Sequence, residues 1–198
     1  MKLVIATKNN NKIKEIEVKF SDISGIEIKS LMYFRNVPTV LEDGFTFKDN
    51  ALKKARVYSA FTGLTVLSDD SGLEVDSLNG EPGVYSARYS GIDAEDYDNN
   101  KLVLEKLKGV PDNRRNARFV CVIAVVQPDG KEYIAEGICK GIITHHEIGS
   151  NGFGYDPIFY LPELGKTMAE LSVFEKNKIS HRAQALEKVK AILANINR

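Results

Sequence analysis

The chain has 198 residues, of which 43% are hydrophobic and 27% charged, and its 27 Lys and Arg residues balance 27 Asp and Glu residues. This length fits one large domain or two tightly joined lobes, and it is enough to bury roughly 70% of the surface of the unfolded chain. A net charge of zero argues against a dedicated binder of nucleic-acid polymers, and no stretch approaches the ~20 apolar residues that span a bilayer, which argues against a membrane protein.

The start of the chain predicts a cytoplasmic location, and the two cysteines predict free thiols. Residues 1–6 run straight into Thr, Lys and Asn without the cleavage pattern of a secretion signal. Cys121 and Cys139 lie in apolar, strand-like stretches without metal-ligand spacing. We therefore expect two free, buried thiols rather than a disulfide or a nucleophile.

The first predicted elements are an apolar strand over residues 2–6, a polar loop and a helix marked by Ile13, Ile16 and Phe20. The polar loop consists of Thr7, Lys8, Asn9, Asn10, Asn11 and Lys12. Backbone N–H groups at a helix N-terminus face an anion placed there, whereas lysines at that end need a negative partner. The loop is therefore a candidate phosphate cradle. Because it lacks the glycines of a P-loop, a solvated polar turn is the alternative.

A second strand is predicted over residues 26–29, and a long loop then ends in Glu42-Asp43-Gly44. A weak capping box at Thr46 opens a helix that runs to about Phe61 with one apolar face. That helix carries Lys53 and Lys54 about two turns from its start. Glu42 is either a functional acid or an ordinary surface acid.

The next stretch, Ser68-Asp69-Asp70-Ser71-Gly72, places two carboxylates at the end of a short apolar strand. Because side chains alternate along a strand, Asp69 and Asp70 should point to opposite faces, with at most one of them a direct metal ligand. Gly72 permits a sharp change of direction. The alternative is that the stretch forms only an Asx-type turn.

The middle of the chain predicts connecting structure and a hairpin. Residues 80–91 form a Gly- and Pro-rich stretch with aromatics and one arginine, and a helix is expected over residues 93–108. Two β-rich runs, residues 117–127 and 131–139, are joined by Pro-Asp-Gly and predict an antiparallel hairpin. Residues 141–143 are expected to continue the sheet, and the two histidines that follow to lie at the surface.

Residues 149–157 form a second dense stretch of functional residue types. Gly154 lets the backbone approach a ligand closely, Phe153 and Tyr155 can offer flat faces, and Asp156 can accept hydrogen bonds from a base edge. A structural Gly-rich turn is the alternative.

The last predicted element is a C-terminal helix with Ser180 as its N-cap. His181 and Arg182 fall in its first turn, and Lys176 lies just upstream. An arginine at that end is unfavourable for the helix dipole unless an anionic partner accompanies it.

In this order, five stretches of the chain resemble the non-canonical purine nucleoside triphosphate pyrophosphatases, the inosine/xanthosine triphosphatase or Ham1 family. Together they reach across nearly the whole chain, and the ordered set is far more specific than any single motif. The matching stretches are residues 7–15, residues 42–55 with a lysine at Lys53, residues 69–73, residues 82–89, and residues 153–157 together with 180–183.

The resemblance implies a fold and a reaction. The fold is mixed α/β, an elongated central sheet with flanking helices, as a single domain over residues 1–198 whose two lobes surround a cleft. The reaction is Mg²⁺-dependent hydrolysis of a purine triphosphate such as ITP, dITP or XTP between its α and β phosphates, which releases the monophosphate and pyrophosphate. The usual assembly is a homodimer.

The resemblance also implies roles for individual residues. Thr7 to Lys12 match the triphosphate loop, Glu42 and Asp70 the Mg²⁺ ligands, and Asp70 also the proton acceptor, with Lys12 and Lys53 close to the phosphates. The positions that match substrate contacts are Ser71, Phe153, Gly154, Tyr155, Asp156, Lys176, His181 and Arg182.

This chain departs from the family pattern at two positions, with Lys8 where many members have Gly and Asp49 where many have Glu. The first touches the loop near the phosphates, and the second concerns helix capping. Three other functions stay open at this point: a pyrophosphatase for modified pyrimidine triphosphates, a nucleotide sensor without hydrolysis, and a scaffold with a vestigial pocket.

Overall fold

The computed structural model describes residues 1–7 and 9–197, so Lys8 of the candidate phosphate cradle lies outside the described residues. The helices and strands are, in chain order, β1 (Lys2–Ile5), α1 (Asn10–Phe20), β2 (Glu27–Ser30), α2 (Phe47–Thr62), β3 (Thr65–Val75), α3 (Asp96–Lys106), β4 (Asn116–Val126), β5 (Glu132–Ile143), β6 (Phe159–Leu161), β7 (Lys166–Thr167), α4 (Val173–Ile179) and α5 (His181–Ile196).

The strands form a seven-stranded mixed sheet in the order β2-β1-β3-β4-β5-β6-β7. β1 pairs in parallel with β2 and β3, whereas β6 pairs antiparallel with β5 and β7. β4 and β5 are joined by the predicted Pro-Asp-Gly turn, closed by a bond from the N–H of Gln127 to the carbonyl of Lys131. The predicted mixed α/β class is confirmed. Within the described residues, no helix is both long and apolar enough to cross a membrane.

The chain divides into two compact units, and β3, β4 and β5 contribute residues to both. The first unit holds residues 1–70, 121–137 and 182–198, and the second unit holds residues 71–120 and 138–181. The single domain with a cleft between two lobes stays a prediction.

The core of the first unit is formed by buried apolar residues of β1, β3, β4 and β5 with α1 and α5. Its members include Leu3, Ile5, Ile16, Phe20, Leu67, Ile123, Val125, Leu186, Val189 and Leu193. α2 begins at a full capping box between Thr46 and Asp49 and ends at Gly63, whose φ of 66° is the left-handed conformation that glycine adopts most easily. The capping prediction for this helix is confirmed, since aspartate at position 49 caps as glutamate would.

The core of the second unit is formed by β3, β4, β5 and β6 with α3. Its buried members include Leu73, Val75, Val103, Leu107, Phe119, Ile143, Ile158, Phe159, Met168 and Leu171. Cys139 belongs to this core and Cys121 to the core of the first unit, and both thiols are free, as predicted. Burial raises the pKa of Cys121 to about 12, so this thiol stays protonated.

The Asx-type turn considered for residues 68–72 is wrong, because β3 runs through them without interruption. Gly72 serves close packing instead of a change of direction. A Cβ built there would lie 2.3 Å from the Oγ of Ser86 and 2.6 Å from the carbonyl oxygen of Gly83. The sequence pattern showed a glycine, but not the chain that passes over it.

Two helices also begin elsewhere than expected, and one helix was missed. α1 starts at Asn10, so Asn10, Asn11 and Lys12 form its first turn, because the side chain of Asn9 caps it. α3 starts three residues later than predicted, at Asp96. The short α4 lacks a clear apolar period but has its own capping box at Ser172.

Candidate active site

Asp69 is the centre of a buried ion-pair network in the first unit. Its Oδ2 lies 2.8 Å from Lys12 Nζ and 3.4 Å from Nε and Nη2 of Arg182, whose Nη1 is 2.6 Å from Glu15 Oε2. Burial would raise the pKa of Asp69, but Lys12 and Arg182 outweigh burial and hold this pKa below its usual range. Asp69 is therefore an ionised counterion. It is the negative partner that two cations in the first turns of α1 and α5 require.

Asp70, the next residue of β3, meets a different set of groups. Its Oδ2 accepts a hydrogen bond from Asn50 Nδ2 at 2.9 Å, and its Oδ1 lies 4.0 Å from Lys54 Nζ. The same ammonium lies 3.0 Å from Glu42 Oε1 and donates to the carbonyl oxygen of Asp69 at 2.7 Å. Because Glu42 and Asp70 contact one nitrogen, these two carboxylate oxygens are no more than about 7 Å apart.

The charges around Asp70 balance less completely than those around Asp69. Burial raises the pKa of Asp70 to about 6; Lys54 acts against this rise and the charge of Glu42 adds to it. Burial would lower the pKa of Lys54, yet the three carboxylates raise it, so Lys54 stays charged. A carboxyl group whose pKa lies near neutral pH is suited to accept a proton from water.

Glu42 and Asp70 also bear on a divalent cation. Over residues 1–7 and 9–197, no group of three or more His, Cys, Asp or Glu side chains is arranged to hold a metal ion. Mg²⁺, however, usually keeps several waters and is bound through one or two carboxylates together with substrate phosphates. The carboxylates of Glu42 and Asp70 fit that ion. Burial disfavours the ionised form of Asp70, and a positive charge beside it would favour ionisation.

The described part of the candidate phosphate loop is organised by its own side chains. Thr7 Oγ1 accepts a hydrogen bond from the N–H of Asn9 at 3.1 Å, and Asn9 Oδ1 accepts from the N–H groups of Asn11 and Lys12 at 2.9 and 3.1 Å. Asn9, Asn10 and Asn11 are exposed. The loop therefore leads into a helix N-terminus that Asn9 caps, and the Lys12 side chain turns back to Asp69.

The structure brings Lys54, not Lys53, to the acidic residues. Lys53 Nζ pairs with Asp43 at the surface, whereas Lys54 is only 8% exposed. Sequence reasoning missed the importance of Lys54 and of Asn50, although a signal existed. Both residues lie four apart on the helix face that buries Phe47 and Ala51, and a lysine on that face needs buried acids.

In the second unit, Phe153 stands between two glycines in left-handed conformations, Gly152 at φ 79° and Gly154 at φ 65°. Asp156 Oδ2 accepts hydrogen bonds from the N–H of Phe153 at 3.0 Å and from Lys176 Nζ at 2.6 Å. Lys176 Nζ also lies 4.5 Å from the centre of the Phe153 ring. Four of the predicted substrate-contacting residues thus form one cluster, with the partly exposed Phe153 ring and a cation against it.

Tyr155 belongs to the interior of this loop. It is 5% exposed, and its hydroxyl donates to the carbonyl of Ser86 at 2.8 Å, so its ring does not offer the flat ligand-binding face expected from the sequence. Ser86 Oγ in turn accepts from the N–H of Leu73 on β3 at 2.9 Å. Ser71 lies partly buried on the same strand. The buried ring of His181 stacks on the ring of Phe119, with 4.7 Å between the ring centres.

Residues 3–192 match the model of the Ham1 family. A dITP/XTP pyrophosphatase of Desulforamulus reducens is 50% identical over 193 residues, which cover 98% of this chain and 96% of that protein. The Ham1 protein structure of Staphylococcus aureus has 42% identity and a TM-score of 0.89, and covers 98% of this chain and 99% of its own. A nucleoside-triphosphatase / dITP/XTP pyrophosphatase structure from Mycobacterium abscessus has 45% identity and a TM-score of 0.80, with 96% and 97% covered.

Proposed function

Because the chain belongs to the Ham1 family, we propose that it is a nucleoside triphosphate pyrophosphatase that removes non-canonical purine nucleotides from the nucleotide pool. Its substrates are ITP, dITP and XTP, and its products the monophosphate and pyrophosphate. Relatives named dITP/XTP pyrophosphatase share half of the residues over almost the whole chain. The observation that carries the proposal is the position of Asp70, a buried carboxyl that is held by Asn50 and lies beside Glu42 and Lys54.

Glu42 and Asp70 are the residues that would hold Mg²⁺. When bound, this ion neutralises phosphate charge and polarises the phosphoryl oxygens. The candidate phosphate loop would receive the triphosphate; its residues are Thr7, Lys8, Asn9, Asn10, Asn11 and Lys12. The positive end of the α1 helix dipole and the ammonium of Lys12 favour an anion there.

The chain's own groups account for the proton transfer. Asp70 accepts a proton from a water whose oxygen attacks the α-phosphorus, while the bond from this phosphorus to the bridging oxygen breaks and pyrophosphate leaves. Asn50 orients the carboxyl through Oδ2, which leaves Oδ1 toward Lys54. Lys54 stabilises ionised Asp70, and Lys53 would add positive charge from the surface.

Purine selection would be the task of the second cluster. Phe153 provides a face for stacking, and Gly154 and Asp156 with the internal Tyr155 shape the loop. Hypoxanthine and xanthine carry a 6-oxo acceptor where adenine carries an amino donor. A cationic donor such as Lys176 therefore favours the oxo-purines, and a site that must pair such a donor rejects the wrong base by up to about 10⁴-fold.

Ser71, His181 and Arg182 complete the proposed substrate-contacting set. The side chain of Arg182 is 2% exposed and bonded to Asp69 and Glu15, so its action on substrate would include holding Asp69 and, through it, Lys12.

We further propose a homodimer in the cytoplasm, with neither nucleic-acid polymers nor membranes as partners. Exposed apolar side chains such as Phe45, at 96%, and Met32, at 82%, are of the kind that an assembly covers. Two free thiols are typical of a reducing compartment. Light scattering behind size exclusion measures the assembly, and a monomeric mass would contradict the dimer.

The test is incubation of the purified protein with ITP and Mg²⁺ in heavy-oxygen water, with products separated by ion exchange. We expect inosine monophosphate carrying the label, and unlabelled pyrophosphate. Diphosphate plus phosphate would overturn the reaction class. A panel with XTP, ATP, GTP and modified pyrimidine triphosphates tests the substrate class, Asp70→Asn tests the mechanism, and the exposed Asp129→Asn serves as its matched control.

A further inference from the structure

Both backbone polar groups of Gly154 are bonded by side chains of α3. Its N–H donates to Asp96 Oδ2 at 2.6 Å, and its carbonyl accepts from Asn100 Nδ2 at 3.2 Å. Asp96 and Asn100 lie four residues apart, so they project from the same face of the helix. One helix face therefore fixes both polar groups of a single loop residue.

The orientation of the Asn100 amide is determined by its neighbours. Asn100 is 2% exposed, and its Nδ2 donates to the carbonyl of Gly154 and to Glu147 Oε1, the latter at 2.8 Å. A flipped amide would place Oδ1 against these two acceptors. In the present orientation, the buried Oδ1 has no hydrogen-bond partner within the described part of the chain. Asn100 thus makes both Nδ2 hydrogen bonds and leaves its Oδ1 unbonded, which fits a residue that holds the carbonyl of Gly154 in place.

Gly154 needs such a restraint because of its position. It follows Phe153 directly and has a φ of 65°, while Gly152 on the other side of Phe153 has a φ of 79°. Glycines adopt many backbone conformations, so two of them around one aromatic ring leave that ring poorly fixed unless other groups hold the backbone. Asp156 holds the N–H of Phe153, and α3 holds the next peptide group.

We propose that Asp96 and Asn100 are positioning residues for purine binding, which hold Gly154 and thereby the Phe153 ring in the orientation that stacks on the base. The inference rests on the proposed function, in which Phe153 contacts the purine. Neither residue takes part in the proton transfer. Their loss should weaken contacts that are equally strong in the ground state and the transition state, and so raise KM more than it lowers kcat.

The experiment compares Asp96→Ala, Asp96→Asn and Asp98→Ala. Asp96 is exposed, so its variants should fold, and asparagine keeps an oxygen that can accept the N–H of Gly154. Asp98 is exposed in the same first helical turn, and its removal matches the loss of charge near the helix N-terminus. We expect Asp96→Ala to raise the KM for ITP and the inhibition constant of inosine monophosphate about tenfold, the effect of one charge-assisted hydrogen bond.

The other readouts separate positioning from general damage. In Asp96→Ala, kcat and inhibition by inorganic tripolyphosphate, which has no base, should stay within about twofold of wild type. Asp96→Asn should restore KM most of the way to the wild-type value, and Asp98→Ala should have the wild-type KM. Asn100→Asp should raise KM, because it places a carboxylate oxygen against Glu147 Oε1 and the carbonyl of Gly154. A wild-type KM in Asp96→Ala, or equal weakening of tripolyphosphate inhibition, would overturn the inference.

A fluorescence measurement makes the result independent of catalysis. The chain contains no tryptophan, so Phe153→Trp introduces a single reporter at the proposed stacking position. We expect lower anisotropy of this tryptophan when Asp96→Ala is added, and no change when Asp98→Ala is added. Equal anisotropy in all three proteins would refute the restraint. Failure of the wild type to hydrolyse ITP would instead overturn the proposed function.

Discussion

Asparagine substitutions at the two neighbouring aspartates should change the stability of the metal-free protein in opposite directions. Asp69 is 1% exposed and bonded to Lys12 and Arg182, so Asp69→Asn leaves two cations without their shared carboxylate. Breaking a buried ion pair in this way costs about 3–5 kcal/mol. For a chain of this length, that loss lowers the melting temperature by roughly 10 °C.

Asp70→Asn should stabilise the protein instead. The rise in the Asp70 pKa from 3.8 to about 6 means that its ionised form is disfavoured in the folded state. At neutral pH this penalty corresponds to about 3 kcal/mol, and we expect a gain of about 2 kcal/mol in the variant, because the buried amide carries a cost of its own. Asparagine at this position still offers an oxygen to Asn50.

The two effects have opposite pH dependences. The folded pKa of Asp70 is raised, so its penalty is complete above about pH 6 and disappears as the pH falls toward about 4. The gain of Asp70→Asn should therefore vanish at about pH 4. The folded pKa of Asp69 is depressed, so its contribution is complete above the ordinary range of an aspartate and is lost only at lower pH.

Urea unfolding in the presence of a chelator, at about pH 7.5 and about pH 4, measures both effects, with turnover assayed on the pH 7.5 samples. The control is Asp22→Asn, which breaks an exposed pair with Lys190 and should leave the stability almost unchanged. The reasoning fails if Asp69→Asn costs no more than this control, or if Asp70→Asn destabilises the protein. A stabilised Asp70→Asn that has lost most of its turnover would separate stability from catalysis at one residue.

Three further predictions concern the lysines, the loop and the cation. Lys54→Met should lower kcat by at least about 100-fold and Lys53→Met by far less, because Lys54 alone of the two contacts Asp70; equal losses in a steady-state assay would contradict this. In urea unfolding, Gly130→Ala should cost roughly 1 kcal/mol and Gly152→Ala at least twice as much. Both glycines have a positive φ, but of the two only Gly152 would place its Cβ against the Asp156 carboxylate, 2.0 Å from Oδ2. Similar costs would contradict the steric argument. Mg²⁺ should raise the melting temperature of the wild type and leave that of Asp70→Asn nearly unchanged, and a matching rise in both would place the ion elsewhere.

Much of the fold could be predicted because local rules agree with the tertiary structure. The capping residue Thr46 and the Pro-Asp-Gly turn each specify one backbone geometry, and both occur as expected. Gly72 misled us because a glycine permits a turn and also permits close packing, and the sequence does not show that Ser86 lies over it. The same limit applies to Gly154, whose restraint comes from a helix that begins 58 residues earlier.

The candidate site depends on one local rule and on contacts that the rule cannot supply. Alternation along β3 predicts that Asp69 and Asp70 face opposite ways, and their partners agree, with α1 and α5 on one side and α2 on the other. What alternation does not reveal is the number of positive charges on each face. Lys12 and Arg182 contact Asp69 directly and keep it ionised. Asp70 has a single cation, Lys54, at a longer distance, and Glu42 nearby, which leaves the pKa of Asp70 near 6. Two chemically identical neighbours thus become a fixed counterion and a candidate base, and the difference arises from which helices face each of them.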